Sequence, residues 1–143
     1  MQIETHINAP PAEVWAHLSD LASHARWMSD AESVEFLTDQ RAGVGTSIRV
    51  PTRVGPFRST DLLTVTTWDP ERLIEASHEG VVTGIGSFEI QPGPNGSILT
   101  WREDLEFPWW MGGRLGHALG RPVLRAIWAR NLARFKELVE AGP

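Results

Sequence analysis

The chain has 143 residues, no cysteine and no tyrosine, with 18 acidic against 13 basic side chains and a net charge of −5. That length fits a single domain, 1–143, able to bury roughly two-thirds of its unfolded surface. Without cysteine there are no disulfides, thiolate nucleophiles or sulfur-ligated metals, and no apolar run approaches the ~20 residues of a membrane span. Met1-Gln2-Ile3-Glu4 does not open like a secretion signal, so a cytoplasmic protein is expected.

Gln2 to Asn8 alternates, with Ile3, Thr5 and Ile7 on one side, and reads as a strand. Pro10 and Pro11 suit the first turn of a helix, where a missing N–H costs nothing. That helix carries Val14, Trp15 and Leu18, and Asp20 ends it or caps a second short helix over Leu21–Trp27.

Beyond Asp30 the period changes to two. Strands are expected near Ser33–Thr38, Thr46–Thr52, Asp61–Trp68, Leu73–Glu79, Thr83–Gln91 and Ser97–Phe107. Gly-, Pro- and Asp-rich turns separate them, and Pro92-Gly93-Pro94-Asn95-Gly96 is a hairpin signal, because Asn-Gly tolerates positive φ. A helical pattern then extends to about Glu140, with a kink or break expected at Pro122. The order predicts an α+β domain whose antiparallel sheet packs on the last helix.

Charge is uneven along this plan. From Met111 onward Arg114, Arg121, Arg125, Arg130, Arg134 and Lys136 face only Glu137 and Glu140, which leaves −9 on the remainder. An acidic body argues against nucleic acid as a partner, since that needs a positive footprint. The basic helix reads first as a solvated face; membrane contact through it or through Trp109–Met111 is the lesser reading.

Alternation also assigns faces. In the last strand Leu99, Trp101, Glu103, Leu105 and Phe107 share the inner face, with Arg102 and Asp104 outside. The same reasoning turns Ile74, Ala76 and His78 inward, with Gly84, Gly86, Phe88, Ile90, Ile48 and Val50. On the terminal helix, at about 100° per residue, Leu124, Ile127, Trp128, Phe135, Leu138 and Val139 fall in one arc, with Asn131 its polar centre.

Glu103 is the sharper anomaly, because an ionised carboxylate in an apolar enclosure must be paired, wet or protonated. It either moves protons or holds a ligand, or it bonds Asn131, His78 or a backbone group and organises the interior. Asn131 and His78 carry the same choice. Trp101, Phe88, Trp128, Ile48 and Val50 read as core or as the apolar wall of a ligand site. No spacing gathers three metal ligands: His17 and His24 lie seven apart on the early helices. Gly43-Val44-Gly45-Thr46 leads into a strand and is a poor phosphate loop, and Ser87 lacks the setting of a nucleophile elbow. No cofactor or metal is called for.

Several stretches together resemble one family: Ile7-Asn8-Ala9-Pro10 with Val14-Trp15 and Leu18-Ser19-Asp20, then Trp27, Gly43-Val44-Gly45-Thr46, Thr100-Trp101 after the Asn-Gly hairpin, and Phe135-Lys136-Glu137-Leu138. Over essentially its whole length the chain resembles the polyketide cyclase/dehydrase and lipid-transport branch of the START-like, or Bet v 1-like, superfamily. The resemblance implies a helix-grip fold: seven curved strands around the C-terminal helix, with two short helices after the first strand and a deep apolar cavity.

It also implies a hydrophobic small molecule as partner: a polyketide, isoprenoid, quinone or lipid. The alternatives are an aldol-type cyclase and dehydratase using Glu103 or His78, and a regulatory or membrane-associated interaction protein. Cyclases of this family commonly hold ketone oxygens with tyrosine or arginine. This chain has no tyrosine, and the face assignment puts no arginine deep inside, which favours a binder.

Overall fold

In the computed structural model, which describes residues 1–142, each expected element is present, with shifted ends. Strand β1 (Gln2–Ile7) leads into helix α1 (Pro11–Leu18) and a 3-10 helix over Leu21–Arg26. Six strands follow: β2 (Glu35–Phe36), β3 (Ser47–Val54), β4 (Phe57–Asp69), β5 (Leu73–Gly80), β6 (Thr83–Gly93) and β7 (Gly96–Glu106). A 3-10 turn at Trp109–Met111 then opens helix α2 (Gly113–Glu140). The strands form one seven-stranded antiparallel sheet in the order β1-β7-β6-β5-β4-β3-β2.

Turn chemistry explains the shifted ends. Val54 pairs with Phe57, leaving Gly55-Pro56 as a two-residue turn and extending both strands beyond the expected limits. In the β6–β7 hairpin Gly93 pairs with Gly96, and Asn95 takes the left-handed conformation at φ 58° that its short polar side chain tolerates. An irregularity between Val65 and Thr67 of β4 breaks the register against β5, the usual means of bending a sheet.

Four expectations need correction. The strand over Ser33–Thr38 contracts to Glu35–Phe36, because it lies at the sheet edge with no further strand to hold it; short edges also resist unwanted pairing. Helix α2 runs unbroken through Pro122, which lies on its exposed side, although the ring offers no N–H to the Ala118 carbonyl. Leu138 is 39% exposed, while Leu132, left out of the arc, is 1% exposed. The buried seam runs through Trp128, Leu132, Phe135 and Val139 at three- and four-residue steps, and Leu138 lies at its margin.

The fourth correction concerns the interior. Between sheet and helix the rings of Trp27, Phe88, Trp101, Trp128 and Phe135 pack on one another. Trp27 lies 4.9 Å from Phe135, Phe88 5.0 Å from Trp101, and Trp101 stacks on Trp128 at 5.2 Å. Such contacts add to the area they bury, and where a deep apolar cavity was expected these rings fill the middle of the molecule. Recesses on the surface include one of about 190 Å³ beside Thr52 and Arg58 and one of about 350 Å³ beside Asn8 and Pro10; neither of these is lined by Glu103 or His78.

The helix also seals the free edge of β1. Arg125 donates to the Gln2 carbonyl at 3.1 Å, Lys136 donates to the His6 carbonyl at 2.5 Å, and the Asn8 N–H donates to the Glu140 carboxylate at 3.1 Å.

Candidate functional site

Strand β7 carries its apolar residues at every second position, so its register sets what faces the helix. Leu99, Trp101 and Glu103 are 0, 4 and 8% exposed, while Arg102 and Asp104 are exposed outside. Glu103 is pinned through its backbone: the Met1 amino group donates to its carbonyl at 2.9 Å, and its N–H donates to the Met1 carbonyl at 2.9 Å.

Directly across on β6 is Gly86. A Cβ there would stand 2.5 Å from a Glu103 carboxylate oxygen, so the missing side chain is the space in which the carboxylate lies. Gly84 serves the same strand differently, since at φ +141° a Cβ would overlap the Asp104 carbonyl oxygen at 1.9 Å. The row Ile48–Leu63–His78–Gly84–Leu105 then crosses five strands and brings His78 beside Glu103.

The two oxygens of Glu103 have different neighbours. The Trp101 indole N–H donates to Oε1 at 2.8 Å. Oε2 stands 3.1 Å from Nε2 of His78, an ion-pair distance without the alignment of a hydrogen bond. Among the described residues the buried side-chain atoms lacking a hydrogen-bond partner are His78 Nε2, Glu103 Oε2 and Trp27 Nε1. Burial pulls the His78 pKa down, but the adjoining Glu103 carboxylate, its charge and that of Asp61 outweigh this and hold it above 6.5.

A second polar cluster lies deeper along α2. Asn131 is fully buried, accepts from the Ser29 N–H at 3.0 Å and the Ser29 hydroxyl at 2.9 Å, and donates to Asp30 Oδ1 at 2.8 Å. Burial raises the Asp30 pKa most; the Asn131 amide and a backbone hydrogen bond pull it down, and Asp61 adds to the rise. Of the partners open to Glu103, the structure supplies His78 and not Asn131, whose amide instead ties α2 to the segment before β2.

Of the other expected wall residues, Trp101 and Trp128 spend their faces on each other and Phe88 packs on Trp101. Ile48 and Val50 are 8 and 9% exposed on the inner face of β3. Asp61 also belongs to the inner face, and the sequence carries the signal: Leu63 and Val65 share its parity, so β4 turns Asp61 to the same side. There it accepts from the Thr52 hydroxyl at 2.9 Å and faces Val50 and Gly80 across the ladder. Nothing local in the sequence marks Trp27, because its place beside Phe88, Trp101 and Phe135 depends on contacts distant in sequence. Among the described residues no three His, Asp or Glu side chains gather in a metal-holding arrangement.

A seven-stranded curved sheet closed on a long C-terminal helix is the helix-grip, Bet v 1-like architecture. The chain belongs to the polyketide cyclase/dehydrase and lipid transport family, whose model matches residues 1–140. Among solved structures it is similar to TTHA0849 of Thermus thermophilus, at 23% identity and TM-score 0.73 over 99% of this chain and 97% of that one. It also resembles StfQ, a di-domain ARO/CYC of the steffimycin biosynthetic pathway, at 13% identity and TM-score 0.80, covering 99% of this chain and 50% of StfQ. A third similar structure is Ara h 8.0201, at 13% identity and TM-score 0.72 over 99% and 97% of the two chains. Likeness at these identities concerns the fold. Comparison with curated proteins finds no match.

Proposed function

We propose that the protein binds a hydrophobic small molecule, a polyketide, isoprenoid, quinone or lipid, on the concave wall between sheet and α2. Glu103 and His78 are its polar contacts. The observation that supports this reading is the buried His78–Glu103 pair, whose facing atoms stand 3.1 Å apart without the alignment of a full hydrogen bond. A buried polar atom without an aligned partner is costly; a ligand hydroxyl could donate to Glu103 Oε2 while accepting from His78 Nε2–H, and a ligand carbonyl could accept from His78 Nε2–H. Apolar side chains of the same wall, Leu63, Leu105 and Ile48, supply the rest of the contact. The ring cluster limits how far such a ligand enters, so the binding surface is the half-open part of the wall around Leu63, His78 and Leu105.

A second reading, catalysis of aldol-type cyclisation and dehydration, draws on the same pair. An imidazole held above its ordinary pKa next to a carboxylate oriented by Trp101 is an acid and a base side by side.

One substitution separates the two. Titration of tryptophan fluorescence with lipids, quinones and polycyclic aromatics is expected to reveal affinity near ~8 kcal/mol, about micromolar. A binder loses ~1–3 kcal/mol of that affinity in Glu103→Gln. An enzyme keeps its binding and loses about 10²–10⁴-fold in turnover of an enolisable poly-β-ketone. A panel that leaves emission unchanged in the wild-type protein sinks the binding proposal.

A further inference from the structure

Charge is sorted between the two faces of the sheet, and strand parity fixes the sign of each. Ladder pairing puts Val50, Asp61 and Gly80 in one row of the inner face and Leu63, His78 and Leu105 in the next. Within the strands the arginines take the opposite parity: Arg49, Arg53, Arg58 and Arg102 all lie on the outer face, exposed. On the sheet side of α2 the buried seam is apolar apart from Asn131, and Lys136 is turned to the His6 carbonyl. Among the described residues, the ionisable side chains of the sheet's inner face are Asp61, His78 and Glu103, with no guanidinium or ammonium beside them.

Asp61 is the charge left over in this set. His78 and Glu103 stand against each other, and a protonated imidazole there answers one carboxylate. Asp61 is the diagonal neighbour of His78 on the ladder and accepts from the Thr52 hydroxyl at 2.9 Å. Among the described residues it enters no ion pair, and neither does Asp30, which the bridge between Ala31 and Thr52 brings close. Burial raises the Asp30 pKa most, and the charge of Asp61 adds to the rise, as two neighbouring carboxylates without a base must. Opposite Asp61, Gly80 has no side chain to cover it; a Cβ there would meet nothing nearer than the Thr60 carbonyl oxygen at 3.5 Å.

Both aspartates are half-buried, so solvent screens them less than it would a fully exposed pair. The Glu103 side chain is 9% exposed, and its Oε2 has no aligned hydrogen bond. A carboxylate or phosphate laid on this wall would meet like charges from β4 and β7, with His78 alone opposing them. An ammonium group would meet the reverse: it can donate three hydrogen bonds, and Asp61 offers a carboxylate that no basic side chain has taken.

We infer that the concave wall selects hydrophobic molecules carrying a protonated amine over those carrying a carboxylate or phosphate, and that Asp61 is the residue that makes the selection. This rests on the binding reading above and narrows it to one class of head group. The amine donates to Asp61, while the apolar body lies along Ile48, Leu63 and Leu105 in the adjoining row. A carbonyl or hydroxyl elsewhere on the same molecule remains free to meet His78 and Glu103.

Three ligands of one chain length test it: dodecylamine, dodecanol and dodecanoate, titrated below their micelle concentrations at neutral pH with tryptophan fluorescence as the readout. The amine is expected to bind about tenfold tighter than the alcohol and about a hundredfold tighter than the carboxylate, with the gap narrowing as salt rises. Asp61→Asn keeps an acceptor for the Thr52 hydroxyl and is expected to cut the amine-to-carboxylate ratio about tenfold. Asp104→Asn removes the same charge from the outer face and is expected to leave that ratio within about twofold. Dodecanoate binding as tightly as dodecylamine in the wild-type protein overturns the inference, and so does a ratio that falls equally in the two variants. In either case continued binding of dodecanol leaves the wider binding reading standing. If none of the three binds, the inference and that reading fail together.

Discussion

Two buried polar clusters occupy this interior, and they differ in how completely their atoms are paired. Around Asn131 the carbonyl takes two donors from Ser29 and the amide gives one to Asp30, so the group is locked between helix and loop. Around Glu103 one oxygen is held by Trp101, while the other faces an imidazole nitrogen at 3.1 Å with no aligned hydrogen bond. Both had the same mark in the sequence, a polar residue centred in an apolar face. Completeness of pairing separates them: a closed network organises the fold, whereas an open one keeps capacity for a ligand.

The largest effect should come from the closed cluster. Asn131→Ala removes three hydrogen bonds, opens a cavity beside Phe135 and leaves Asp30 buried with less support. A loss of about 2–4 kcal/mol is expected by urea denaturation. A loss below about 0.5 kcal/mol would contradict the assignment of Asn131 as a structural tie.

Gly86→Ala strikes the open cluster. The new Cβ displaces the end of a flexible carboxylate rather than backbone, so the fold is expected to survive at about 1 kcal/mol. Displacing the carboxylate removes the support that lifts His78, and burial then pulls the imidazole pKa below its ordinary value. Glu103→Gln should have the same consequence for His78 with less change in stability. An NMR titration of His78 that matches wild type in both variants would show that Glu103 does not control it.

The smallest effect is a pH dependence. Because the His78 pKa is raised on folding, its contribution to stability is complete below the unfolded value of 6.5 and fades as pH rises through the folded pKa. His24 acts with the opposite sign. Burial lowers its pKa most, against a 2.7 Å hydrogen bond between Nε2 and the Leu18 carbonyl and the charge of Asp20, so its contribution is lost as pH falls below 6.5. Thermal melts of wild type and His78→Gln isolate the first term, as His24 is common to both. The difference in melting temperature should shrink as pH rises above 6.5; a difference that grows would reverse the sign assigned to His78.

Much of this architecture follows from the order of residues alone. Period two in β7 places Trp101 and Glu103 inside and Arg102 outside, because successive side chains of a strand must take opposite faces. A period near 3.6 buries Asn131 among Trp128 and Phe135, and Asn-Gly chemistry locates the β6–β7 turn. Periodicity tells which way a side chain points but not what meets it there. That Asn131 faces Ser29 and Asp30 while Glu103 faces His78 across Gly86 depends on segments up to 102 residues apart. The packing of Trp27 among rings from β6, β7 and α2 is settled in the same way. Local rules reach only a few residues along the chain; the partner of a buried group is chosen when sheet curvature and helix placement bring distant faces together, and those arise from the packed whole.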